Sequence, residues 1–184
     1  MTEKKIKIFS TTILGVRAKK KVAIAGDGQV TLGEMAIKQK AVKVREFDTN
    51  RGYVVGGFAG AAADALTLFE KFEQKLEQYD ADLKRSVVEL AKEWRTDKIL
   101  RHLEAMLLVM DKQFSFIIAG DGNVIEPDGP IVAIGSGGGF AQAAALAFYE
   151  TGKYSAKQIA EKSLKIVAEI CIYTNDSITV LEIG

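Results

Sequence analysis

Five residues carry groups that could do chemistry together: Thr11, Asp27, Lys43, Gly57 and Ser136. A leader bearing Lys4, Lys5 and Lys7 stops at Ser10, and the strand-like run Thr11-Thr12-Ile13-Leu14-Gly15-Val16 follows. If residues 1–10 are removed, Thr11 becomes the first residue of the working chain. An N-terminal threonine holds a hydroxyl and a free α-amine on one residue. That amine has a pKa near ~8, so near neutrality much of it can take a proton from the hydroxyl beside it. With the leader attached, the same nitrogen is a peptide amide and accepts no proton. Taken alone, Thr11 and Thr12 also fit a strand that opens on β-branched residues.

A hydroxyl nucleophile needs a cation close by to favour its ionised form, and Lys43 can supply one. Asp27 lies between Gly26 and Gly28 and is the candidate carboxylate to hold that lysine charged and oriented. A backbone N–H aimed at the developing oxyanion is worth ~2.7–4 kcal/mol. Gly57, in the glycine-rich segment after Val54-Val55, suits that role because no side chain blocks approach. Ser136, within Gly135-Ser136-Gly137-Gly138-Gly139, can complete a hydrogen-bond network around the α-amine. The same stretch, between a strand and a helix, has the position of an anion cradle, but it lacks both the P-loop pattern and the dinucleotide-binding glycine fingerprint.

The elements that must position these groups follow from periodicity. Residues 12–16 and 22–26 are apolar runs separated by Arg17-Ala18-Lys19-Lys20-Lys21, which predicts a β-hairpin with a charged loop. A loop with Thr31 and Gly33 comes next. Ala41 to Arg45 alternates as a half-buried strand does, placing Lys43 and Arg45 opposite Val42 and Val44. Gly52 to Gly60 predicts a strand running into a bend at Gly56-Gly57. Leu66, Phe69, Phe72, Leu76 and Tyr79 form one helical stripe, and a second helical region spans about 82–109 with an interruption at Arg95-Thr96-Asp97. Strands follow at 114–119, 123–126 and 131–134, then helices at about 140–150 and 155–172. The second of these opens on the capping-box pair Ser155 and Gln158, and a last strand runs from Ser177 to Ile183. Strands and helices segregate along the chain, which argues α+β. Two antiparallel sheets packed face to face, with a helix pair outside each, accommodate every element.

At 184 residues, with 48% hydrophobic and 27% charged residues, the chain fits one globular domain. A net charge of +1 gives no reason to invoke nucleic acid or an anionic membrane as the main partner. One cysteine, Cys171, and one histidine, His102, exclude an intrachain disulfide and a zinc site of the usual ligand count. His102 lies in a helical pattern and is expected on a helix surface. No apolar run reaches the ~18 residues of a membrane span, and the leader has no apolar core of a secretory signal. The expected location is cytoplasmic.

Several blocks in order resemble the HslV (ClpQ) family of bacterial proteasome-like peptidases. They are Thr11-Thr12-Ile13, Ala25-Gly26-Asp27-Gly28-Gln29, Lys43-Val44-Arg45, Gly57-Phe58-Ala59-Gly60, Ala63-Asp64-Ala65, Trp94-Arg95-Thr96-Asp97, Ala133 to Gly138, and Ile170-Cys171-Ile172-Tyr173-Thr174-Asn175. The resemblance implies an N-terminal nucleophile hydrolase with a four-layer αββα sandwich, a proteasome β-like domain over 11–184 and a removable leader over 1–10. It implies Thr11 as nucleophile, with Lys43, Asp27, Ser136 and Gly57 in support. It also implies a monovalent cation, sodium in the family, held by backbone oxygens at Ala168, Cys171 and Thr174, with Cys171 serving as structure and not as a thiol. The implied assembly is a double ring of hexamers fed with unfolded protein by HslU, an AAA+ ATPase that alone uses ATP. The chain departs from the family pattern in its ten-residue leader and in a longer turn from Asp48 to Gly52.

Two other readings stay open on the residues alone. A ring subunit that keeps its leader would be a scaffold with Thr11 never freed. A small-amide hydrolase could use the same fold without a closed chamber.

Overall fold

The computed structural model describes residues 11–33, 35–60, 62–97 and 105–184, with 62–65 described by backbone only. The chain opens with a hairpin of β1 (Thr12–Ala18) and β2 (Lys21–Gly26). The turn is only Lys19 and Lys20, at φ 52° and 64°, the two left-handed positions of the tightest hairpin loops. The charged loop predicted from Arg17 to Lys21 is therefore mostly strand. Arg17 can stay in β1 because its guanidinium donates to the carbonyls of Asp111 and Phe114, each at 2.9 Å.

A small hairpin of β3 (Val30–Leu32) and β4 (Met35–Lys38) occupies the segment predicted as loop. Next come β5 (Val44–Thr49) and β6 (Gly52–Gly60), α1 (Ala62–Gln78), α2 (Leu83–Thr96), β7 (Ala105–Met110), β8 (Ser115–Ala119) and β9 (Val124–Ile125). The chain closes with β10 (Ile131–Gly135), α3 (Gly138–Glu150), α4 (Ala156–Ile170) and β11 (Thr179–Ile183). One sheet has the order β10-β1-β2-β11 and the other β5-β6-β7-β8-β9, all pairs antiparallel.

Three apolar clusters define four layers. Ile13, Ile24, Val55, Leu108 and Ile134 fill the space between the sheets. Leu14, Val16 and Ala25 face α3 and α4 through Ala145, Ile159 and Leu164. Phe47, Phe58 and Leu107 face α1 and α2 through Phe69, Phe72 and Trp94. This is the four-layer αββα sandwich that the family resemblance implies. β1 shows why its sequence does not alternate: Ile13 and Leu14 point to opposite faces, and both are fully buried.

Four expectations need correction. The helical region predicted to run to about 109 ends as α2 at Thr96, within the predicted interruption, and Ala105 opens strand β7. An all-apolar run such as Met106-Leu107-Leu108-Val109 carries no period that separates helix from strand, and here both of its faces meet a core layer. On α1, Leu66 is 65% exposed while Leu68 is buried, so the stripe runs through Leu68, Phe69, Phe72 and Leu76. Gly56 and Gly57 form no bend but lie within β6, paired with Arg45 and Val44. The strand predicted from Ala41 to Arg45 opens only at Val44, and before it Val42 is exposed while Lys43 is buried, so the predicted alternation fails there. His102 lies outside the described residues.

Candidate active site

The ends of β1, β2 and β10 meet at one edge of the first sheet. The pairing Thr12↔Gly135 lets the Ser136 N–H donate to the Thr11 carbonyl at 3.0 Å. Gly135 is needed here: its φ is 91°, and a side chain would run into that same carbonyl. The pairing Ile13↔Gly26 sets Thr12 beside Asp27. The Asp27 N–H donates to the Thr12 carbonyl at 3.3 Å, and the Thr12 N–H returns a bond to Asp27 Oδ1 at 2.8 Å.

Asp27 is fully buried and its carboxylate accepts from three donors. Oδ1 also accepts from Lys43 Nζ at 3.0 Å, and Oδ2 accepts from the Gln29 N–H at 2.9 Å. Lys43 Nζ donates further to the Gln29 carbonyl at 2.5 Å. A buried ion pair needs further hydrogen bonds to offset its desolvation, and here the Thr12 and Gln29 N–H groups and the Gln29 carbonyl supply them. Burial pushes the Lys43 ammonium below its ordinary pKa of 10.5, while the charge and hydrogen bond of Asp27 pull the other way.

Thr11 itself is 1% exposed, one residue from the Asp27-bonded Thr12. Gly57 sits across from Val44 in β6, and the next N–H, of Phe58, donates to the Lys43 carbonyl at 3.2 Å. A Cβ at Gly57 would lie 2.6 Å from Ile13 Cγ2, so the glycine also lets the two sheets close together under the site. Ser136 is exposed at the end of β10. Thr11, Asp27, Lys43 and Ser136 are thus joined by contacts through Thr11 and its neighbour Thr12, and Gly57 adjoins them through Val44, the residue after Lys43.

Two participants went unassigned on the sequence. Thr12 Oγ1 accepts from the Gly137 N–H at 3.0 Å and shares a 2.7 Å bond with Thr174 Oγ1. Gln29 bridges both members of the ion pair through its main chain. Its place in the Gly26-Asp27-Gly28-Gln29 turn was the available signal; Thr12 had none beyond adjacency to Thr11.

Ala168, Cys171 and Thr174 fall on the last turn of α4 and the loop after it. Helix C-termini leave carbonyls without intrahelical partners and favour positive charge. The Cys171 carbonyl accepts from the Thr174 N–H at 3.0 Å, which leaves it a second lone pair. Among the described residues no cluster of three or more His, Cys, Asp or Glu side chains could hold a metal. Backbone carbonyl oxygen is a donor type that suits a hard cation.

Comparison with known proteins places this geometry. The family model for the proteasome subunit matches residues 9–183. The ATP-dependent protease subunit HslV of Aquifex aeolicus is 53% identical over 178 residues, covering 97% of this chain and all of that protein. The crystal structure of eukaryotic HslV from Trypanosoma brucei superposes with a TM-score of 0.86 at 47% identity, covering 93% of this chain and 98% of that one. The structure of Thiobacillus denitrificans BPH in complex with epoxomicin shares the fold, with a TM-score of 0.71 at 21% identity over 94% of this chain and 98% of that one. The chain belongs to the proteasome subunit family and, within it, to the HslV threonine peptidases.

Proposed function

We propose that this chain is the peptidase subunit of an ATP-dependent protease and that Thr11, freed by cleavage after Ser10, is its nucleophile. The observation that carries the reading is the buried Asp27 carboxylate, which accepts from both the Thr12 N–H and Lys43 Nζ. It ties an ammonium group to the residue next to Thr11. The α-amine takes the proton of Thr11 Oγ1, and the oxygen attacks the carbonyl carbon of the scissile peptide. Lys43 favours the ionised oxygen, and the Gly57 N–H receives the oxyanion of the tetrahedral intermediate. The C–N bond breaks as the proton passes to the leaving amine, leaving an ester on Thr11 that water hydrolyses. Ser136 orients the amine and its protons.

The carbonyls of Ala168, Cys171 and Thr174 would hold a monovalent cation, sodium on the family resemblance; its charge would fix the direction of those dipoles. The protein works as a homo-oligomeric double ring of hexamers in the cytoplasm, and an HslU-type AAA+ ATPase supplies unfolded protein. The name of the Aquifex relative, an ATP-dependent protease subunit, supports this partnership. Among the described residues no helix is long and apolar enough to cross a membrane.

The test is the intact mass of the wild type beside Thr11→Ala, together with peptide hydrolysis by each. The expected wild type begins at Thr11 and is active, while the variant retains residues 1–10 and is inactive. Hydrolysis by Thr11→Ala at the wild-type rate would overturn the assignment of the nucleophile. A wild type that keeps its leader and yet hydrolyses peptide would overturn the freed α-amine as base.

A further inference from the structure

We propose that Gln29 is a positioning residue for the Lys43–Asp27 pair, acting through a tether from its side-chain amide to the Ile172 carbonyl. The inference rests on the reading of Thr11 and Lys43 given above.

Residues 27–29 lie between β2 and β3 and belong to no strand, so no sheet ladder fixes their peptides. Yet both main-chain groups of Gln29 touch the ion pair. Its N–H donates to Asp27 Oδ2 at 2.9 Å and its carbonyl accepts from Lys43 Nζ at 2.5 Å. A small rotation of this residue would move a donor away from the carboxylate and an acceptor away from the ammonium together. The Gly28 carbonyl accepts from the Ala41 N–H at 2.8 Å, which holds the peptide before Gln29; the side chain holds the residue itself. Gln29 is 8% exposed, and Nε2 donates to the Ile172 carbonyl at 2.7 Å and to Thr31 Oγ1 at 3.0 Å.

The Thr31 bond is local, reaching only two residues along the chain into β3. The Ile172 bond reaches 143 residues along the chain to the loop after α4, whose own position is set by the packing of α4 on the first sheet. The same loop grips the turn a second time: Asn175 Oδ1 accepts from the Gly28 N–H at 3.0 Å, and Asn175 Nδ2 donates to the Gln39 carbonyl at 2.9 Å. The turn that carries Asp27 is therefore referenced to α4, and Gln29 is the part of that clamp in contact with Lys43.

The experiment is steady-state peptide hydrolysis by the full assembly carrying Gln29→Met, which keeps the length of the side chain and removes its donor. Thr31→Val and Thr11→Ala are measured in parallel. Misplacing a catalytic group by a fraction of an ångström is expected to cost about tenfold in kcat with KM within about twofold. Thr31→Val, which leaves the Ile172 bond in place, is expected to stay within about twofold of wild type. If Gln29→Met fails to assemble, Gln29→Glu replaces it, since it keeps the shape, cannot donate to the Ile172 carbonyl and can accept from the Thr31 hydroxyl that Gln29 donates to; the same loss of kcat is expected. An assembled Gln29 variant with wild-type kcat, a change confined to KM, or an equal loss in Thr31→Val would overturn the positioning role. Full activity in Thr11→Ala would instead overturn the nucleophile assignment, whatever the Gln29 variants do.

Discussion

At the scale of single residues, the Lys43–Asp27 pair ties stability to chemistry. Removing one member strands a buried charge, which costs about 3–5 kcal/mol, whereas removing both costs much less. Lys43→Met should therefore lower the unfolding temperature sharply, and Lys43→Met combined with Asp27→Asn should recover much of it while remaining inactive. A double variant no more stable than Lys43→Met would show that the pair is not coupled. The pH dependence follows from the direction of the lysine shift. Burial lowers the Lys43 pKa below 10.5 against the opposing pull of Asp27, so between the folded and unfolded values the unfolded chain binds more protons. The contribution of this group to stability then rises as pH rises through that window, and is at its least below the folded pKa. Activity moves oppositely because the charged ammonium is the working form. The expected kcat/KM rises as the α-amine deprotonates near ~8 and falls again with a midpoint below the ordinary lysine value. A pH–rate profile flat to that value would remove Lys43 from the chemistry.

At the scale of elements, Gly57 shows how one position serves both the sheet packing and the site. A Cβ there would meet Ile13 Cγ2 at 2.6 Å and Ile24 Cδ1 at 3.1 Å, and both belong to the strands that carry Thr11 and Asp27. Gly57→Ala keeps the N–H but must push β6 away from β1 and β2. Overpacking of this kind costs about 1–3 kcal/mol, so a lower unfolding temperature is expected together with a fall in kcat. A variant as stable and as fast as wild type would show that the gap between the sheets has slack. Of the two glycines that sequence patterning takes as a bend, Gly57 is thus explained by contacts from the other sheet and Gly56 by Phe47, Phe69 and Val109 packed over it, none of which a local period records. The same reason hid β7, whose apolar residues serve two layers, and the burial of Lys43, which precedes β5 and is bonded to Asp27 and Gln29. Elements that bury one face, such as α4 with its Ser155–Gln158 capping box, were legible at nearly their true bounds. The polar residues of the site were legible as types at glycine-marked turns, but the pairing of Asp27 with the Thr12 N–H depends on the β1–β2 register, which spacing alone does not specify.

At the scale of the molecule, α3 is the element that one protomer leaves unexplained. Its sequence from Gly138 to Glu150 is apolar or small on nearly every side, and a helix apolar all round is one that something covers. The first sheet and α4 cover Ala141 and Ala145, while Phe140, Leu146 and Tyr149 stand 49%, 39% and 38% exposed. Within the proposed double ring, contact with another protomer would bury this face and give the helix its missing partner. The Lys43–Asp27 pair, by contrast, is built within one chain, so disturbing α3 should separate assembly from the local structure of the site. Leu146→Glu places a charge on the outer face and touches none of the proposed catalytic residues. Desolvating an unpaired carboxylate at an interface costs several kcal/mol, enough to disfavour the contact. In native mass spectrometry the variant is expected to give a species of lower mass than wild type, with an unfolding temperature that no longer depends on wild-type levels of assembly. If Leu146→Glu retains the wild-type mass, α3 faces solvent or the chamber and the contact between protomers runs through another element.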